Sequence, residues 1–137
     1  AGVRAAVATG ENLTGLESFA PLFRADAVDV VQASMVYGIT HFMRLAAAAH
    51  LHNLPISLVS YRCNLVAHAA NAVANHRLYE IKELTEQPEG LSLDQEVVDG
   101  GLRLGHTPGH GVRVDRAAVE ALMREPANQA GEKRRLG

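Results

Sequence analysis

The sequence predicts an α/β fold built from four strand–helix units, the number that makes half of a closed (β/α)-barrel. Short apolar runs alternate with helix-periodic segments, and strand starts recur roughly every 22 to 27 residues, the rhythm of βα units in a parallel sheet or barrel. A chain of 137 residues with 47% hydrophobic and 20% charged residues has the composition of a packed domain rather than a disordered segment. The units share no sequence identity, so the rhythm belongs to the fold and not to a solenoid repeat.

Val3 to Thr9 is apolar and rich in small residues, and Gly10-Glu11-Asn12 breaks it, the pattern of a buried strand ending in a loop. Thr14 and Glu17 have the spacing of a capping box, and Leu16, Phe19, Leu22 and Phe23 then recur on one helical face. Ala27 to Gln32 reads as the second strand. Ile39 to Leu51, opening at Thr40, reads as an Ala-rich helix with Phe42, Leu45 and Ala46 on one side. Leu54 to Val59 is a third strand, Asn64 to Ala74 a helix, and Arg77 to Ile81 a fourth strand.

After Leu84 the texture changes. Gln87-Pro88-Glu89-Gly90 is a turn, Glu96 to Leu104 a hairpin around Asp99-Gly100, and Asp115 a cap for a last helix through Met123. The tail from Glu125 is polar, carries Lys133-Arg134-Arg135, and is expected to fray as a flexible end. The expected organisation is a half-barrel over residues 1–86, a hairpin and helix over 87–124, and the tail over 125–137.

Half a barrel leaves two unpaired sheet edges and uncovered apolar faces, so a partner half is expected from another chain or an N-terminal region; the alternative is a smaller open α/β sheet. The chain lacks an initiator Met and opens directly into a strand-like run, which suggests a beginning elsewhere. A formal charge of -2 gives no basic field for nucleic acid or an anionic membrane. No apolar run reaches the roughly 18 residues of a membrane span. With Cys63 as the single cysteine, an intrachain disulfide framework is excluded, and a cytoplasmic setting is expected.

The order of landmarks carries a more specific signal: Gly10-Glu11-Asn12 after a strand, Val28-Asp29-Val30-Val31-Gln32 as the next, then Gly38-Ile39-Thr40 opening a helix. Leu54-Pro55-Ile56-Ser57, Val66-Ala67-His68, Leu78-Tyr79-Glu80 and Pro108-Gly109-His110-Gly111 follow. Over Gly10 to about Leu122, this order resembles the mandelate racemase/muconate lactonising group of the enolase superfamily. The resemblance implies the C-terminal half of a barrel domain, with the hairpin and last helix returning towards a capping domain. It implies a lyase or isomerase, a dehydratase or racemase, that removes the proton α to a carboxylate, as in an acid sugar or hydroxy acid. It further implies three carboxylates holding Mg²⁺, which lowers the cost of an enediolate. Homo-oligomers and the N-terminal half of the same enzyme are the implied partners, with a small-molecule carboxylate as substrate.

By this resemblance Glu11 is the third metal carboxylate, at the end of the fifth barrel strand, and Glu80 is the last-strand glutamate that hydrogen-bonds the substrate carboxylate. Ser57 and Tyr61 line the pocket mouth. The sequence also departs from the pattern. Val59 stands where members with a histidine base place it, and the stretch from Gln32 to Thr40 is about two residues short of the usual strand-six turn. The lysine motif and first two metal carboxylates would precede Ala1, so the chain by itself is expected to be inactive; the alternative is a pseudoenzyme or half-barrel assembly module.

Other chemistries fit less well. His50-x-His52 and His106-x-x-x-His110 suggest zinc, but Pro108 and Gly109 break the helix that the second spacing requires and no third ligand is near. His68 reads as a satisfied buried imidazole, and Cys63 as a structural thiol without an activating partner. The glycines from Gly100 to Gly111 follow a hairpin, so turn chemistry explains them better than phosphate binding.

Overall fold

A computed structural model describes residues 5–61, 65–82 and 89–124. Strands β1 (Ala8–Thr9), β2 (Val30–Ser34), β3 (Ile56–Tyr61) and β4 (His76–Lys82) form a parallel sheet in the order β1-β2-β3-β4. Helices α1 (Leu16–Arg24), α2 (Gly38–Leu51) and α3 (Ala67–Ala72) make the intervening connections. Parallel neighbours require such crossovers, because no tight turn can return the chain to the same end of the sheet.

The core lies between these helices and one sheet face. Val31 and Ala33 of β2 alternate into it with Ile56 and Leu58 of β3, and Phe19, Phe42, Leu45, Ala46, Ala49, Val66 and Ala70 meet them from the helical side. The expected α1 and α2 faces are therefore the buried ones. Phe42 is 0% exposed, and its truncation to Ala would cost about 3–5 kcal/mol through lost transfer energy and the cavity left behind. Asn75 ties the layers: its Nδ2 donates to the carbonyls of Ala46 (3.1 Å) and Leu54 (3.0 Å).

Several boundaries differ from the sequence expectation, each for a backbone reason. The N-cap of α1 is Gly15, with no side-chain cap bond, and the carboxylate of Glu17 folds over Gly15 instead of completing a box with Thr14. The second strand begins at Val30 rather than Ala27, because the Ala27 N–H bonds back to the Leu22 carbonyl (3.0 Å) at the end of α1. The third begins at Ile56, since the Leu54 N–H closes α2 on the Ala49 carbonyl (2.9 Å). A single 3₁₀ turn, Met35–Tyr37, joins β2 to α2. The expected start of α3 at Asn64 lies outside the described residues, as do Val3, Cys63, Gln87, Pro88 and the tail from Glu125.

Beyond β4, β6 (Gln95–Val98) and β7 (Gly101–Leu104) pair as the expected hairpin, with Asp99 (φ 50°) and Gly100 (φ 75°) forming its two-residue turn. A second antiparallel pair, β5 (Leu91–Leu93) with β8 (Val112–Val114), was not expected from the sequence. Asp94 joins the two pairs: its carboxylate accepts from the Thr107 N–H (2.7 Å) and its own N–H donates to the Gly111 carbonyl (2.7 Å). Hydrogen bonding from Thr107, helped by the positive field of His106 and Arg113, holds that carboxyl below its ordinary range. Asp115 caps α4 (Arg116–Arg124) by accepting from the Ala118 N–H at 3.1 Å.

Candidate functional site at the C-terminal rim of the sheet

Parallel strands bring all their C-terminal ends to one rim, and open α/β sheets bind ligands outside that rim. Register aligns Gln32 of β2 with Ser57 of β3 and Leu78 of β4, and aligns Ser34 with Val59 and Glu80. Because Val31, Ala33, Ile56 and Leu58 point into the helical core, strand alternation sends these two rows to the opposite face. This is the face that would line a barrel interior. Leu78 on it is 61% exposed.

Gln32 and Glu80 meet across β3: Gln32 Nε2 donates to Glu80 Oε2 at 3.0 Å. The strand they span carries Ser57 and Val59, only 6% and 3% exposed. Tyr61 ends β3 in register with Lys82, and its side chain lies outside the described residues. Glu11 follows β1 directly in the turn at the same rim, half-buried.

The approach to Glu11 is tightly specified. Gly10 has φ +127°, and a Cβ there would lie 2.6 Å from Phe19 Cε1 and 2.7 Å from the Gln32 carbonyl oxygen. Only glycine allows β1 to run this close to β2 while turning out into the loop that carries Glu11. Gln32 thus touches the approach to Glu11 with its backbone and Glu80 with its side chain.

Sequence reasoning named Glu11, Ser57, Tyr61 and Glu80 but missed Gln32 as the partner of Glu80. Its signal was a polar residue between two buried ones, Val31 and Ala33, on a strand flanked by others of the same sheet. Among the described residues no three His, Cys, Asp or Glu side chains form a metal-holding group. Carboxylate and amide oxygens on this face are donors of the hard type that Mg²⁺ takes, fewer than an octahedral ion needs. The histidine pairs have structural partners: His52 packs its ring on Phe23 (4.9 Å between centroids), and His110 Nδ1 accepts from the Val112 N–H (3.1 Å).

His68 departs from its expected satisfied state. Its Nε2 and that of His76 are buried with no hydrogen-bond partner among the described residues. Burial holds the His76 imidazole below its ordinary value, against a smaller raising effect of its backbone hydrogen bond with Leu78. Its ring lies 4.4 Å from that of Tyr79, whose phenol is pushed up to about 12 by desolvation. The Tyr79 hydroxyl has two acceptors within reach, the Ala67 carbonyl (2.9 Å) and Asn71 Oδ1 (2.5 Å).

A parallel α/β sheet with polar groups at its C-terminal rim has the layout of (β/α)-barrel folds, which place their sites at that rim. Residues 1–118 match the family model for the enolase C-terminal domain-like proteins, and the chain belongs to that family. No curated protein matches at a significant level.

Solved structures agree on the fold. A protein from Burkholderia xenovorans strain LB400 described as an L-alanine-DL-glutamate epimerase, bound to magnesium and fumarate, is 28% identical, with 85% of this chain and 31% of that one covered at a TM-score of 0.73. An isomerase from Streptomyces coelicolor A3(2) is 25% identical, with 90% and 36% covered at 0.72. A mandelate racemase/muconate lactonizing enzyme from Polaromonas sp. JS666 is 26% identical, with 89% and 33% covered at 0.66. The chain spans about a third of the length of the solved structures it matches. No helix among the described residues is long and apolar enough to cross a membrane.

Proposed function

We propose that this chain is the C-terminal half of the barrel of a Mg²⁺-dependent lyase or isomerase, one that removes the α-proton of a carboxylate substrate such as an acid sugar. The observation that carries this reading is the common placement of Glu11 and Glu80 at the C-terminal rim of one parallel sheet. Family membership and the magnesium-bound relative support it.

In this reading Glu11 supplies one carboxylate to Mg²⁺, and the missing donors come from the N-terminal half of the same enzyme. When bound, the ion lowers the cost of gathering negative charge on the substrate carboxylate. Glu80 orients that carboxylate, which it can do as a hydrogen-bond donor when protonated or through a shared proton. Tyr61, which ends the strand between, would stand at the pocket mouth, and Ser57, near that strand's start and 6% exposed, would lie beneath it. The base also comes from the N-terminal half, because Val59 at the rim cannot move a proton. A homo-oligomer in the cytoplasm completes the proposal.

Val59 favours a second reading, that of a pseudoenzyme or half-barrel assembly module. It is buried between Ser34 and Glu80, where it closes off the row with an apolar group. One experiment separates the two. The whole protein carrying this chain is incubated with Mg²⁺ and a panel of acid sugars and 2-hydroxy acids in ²H₂O, and α-proton exchange is read by NMR. The enzyme reading expects exchange on at least one compound, sharply lowered but still measurable in Glu80→Gln; a module exchanges none at any Mg²⁺ concentration.

A further inference from the structure

We propose that Gln32 is the positioning residue for Glu80, holding that carboxylate over β3 so that one of its oxygens faces the rim. The inference rests on the reading of Glu80 as the group that orients substrate, and it adds a residue that reading does not contain.

The two side chains start from strands separated by β3, a span of roughly 10 Å between β2 and β4. Only long side chains reach each other over that distance, and Gln32 Nε2 meets Glu80 Oε2 at 3.0 Å. A glutamate bonded at one oxygen loses most of its rotamer freedom, while its second oxygen stays available. The pair lies over a closed row, Ser57 and Val59 being 6% and 3% exposed, while the bond itself is open on the face that a barrel would enclose.

Gln32 is itself fixed from two directions. Its backbone is locked into the ladder opposite Ser57, and its carbonyl oxygen lies against Gly10, where any side chain would collide at 2.7 Å. A support anchored by the ladder holds its charge more rigidly than a loop residue would. The amide suits the task because it carries both a donor and an acceptor, so turning it over lets it serve Glu80 with or without a proton. A glutamate in its place would repel an ionised Glu80, and a methionine of similar length would leave it unsupported.

The test is a double-substitution cycle in the whole protein, using Gln32→Met, Glu80→Gln and both together. It follows α-proton exchange with Mg²⁺ on whichever panel compound exchanges fastest. Thermal melting shows that each variant is folded, and Gln32→Leu serves as a second variant should Gln32→Met not fold. Gln32→Met is expected to lower kcat by about 10- to 100-fold, with a smaller change in KM, the signature of lost orientation. In the Glu80→Gln background the same substitution should change residual kcat by no more than about twofold, because its target is already gone. Gln32→Glu should be no better than Gln32→Met.

The inference is overturned if Gln32→Met leaves kcat unchanged, or costs as much in the Glu80→Gln background as in the unmodified protein. Its failure differs from failure of the underlying reading: a severe Glu80→Gln with a silent Gln32→Met removes only the role of Gln32. A silent Glu80→Gln, or no exchange on any compound, removes both.

Discussion

Gly10 decides where Glu11 goes. Its φ of +127° and the 2.6 Å and 2.7 Å approaches of Phe19 and the Gln32 carbonyl to a would-be Cβ leave no room for any other residue. Gly10→Ala is expected to cost about 2–5 kcal/mol, combining a disfavoured backbone conformation with a collision against a buried ring. Urea unfolding measures it, and a loss below about 0.5 kcal/mol, typical of an ordinary surface change, would show that the strand end can relax. That Glu11 follows a strand and Glu80 lies within one was legible in the sequence, because each sits in a short local pattern, Gly-Glu-Asn and Leu-Tyr-Glu. Gln32 was not, since its partner lies 48 residues away and only the register of an intervening strand brings the two together.

Helices α1 and α2 were legible because a helical face is written in 3.6-residue spacing, and Phe19, Phe42, Leu45 and Ala46 are the buried residues it pointed to. Strand starts were less so. Apolar residues such as Ala27 and Leu54 extend each strand pattern backwards, while their N–H groups belong to the preceding helix ends. The pairing of β5 with β8 escaped notice altogether, because three-residue strands give too little alternation to read. Strand β4 has a pH dependence of its own. His76 is more easily protonated when the chain is unfolded, its folded value being depressed by burial, so the unfolded state binds more protons as pH falls below about 6.5. The stabilisation from a neutral His76 is therefore complete above that pH and is lost as pH drops through the folded value. Urea midpoints at pH 7.5 and pH 5 should differ less in His76→Phe, which keeps a ring beside Tyr79, than in the unmodified protein; an equal difference would assign the acid sensitivity to other groups.

The molecule as a whole is defined by what its sheet leaves open. Among the described residues β1 and β4 are the edge strands of the parallel sheet, and Leu78, on the face that bears Gln32 and Glu80, is 61% exposed. An eight-stranded barrel answers both features, by pairing the edges and enclosing the face. This chain matches about a third of the length of the solved relatives. The parallel ladder was readable from the spacing of βα units, whereas the polar pair spanning it was not, because spacing reports on elements and not on the side chains that cross between them. The most direct measurement is a calorimetric Mg²⁺ titration of the whole protein beside its Glu11→Gln variant. Loss of a charged oxygen donor should weaken binding at least about tenfold; an unaltered affinity would mean that the carboxylate after β1 holds no cation, and the proposed chemistry would go with it.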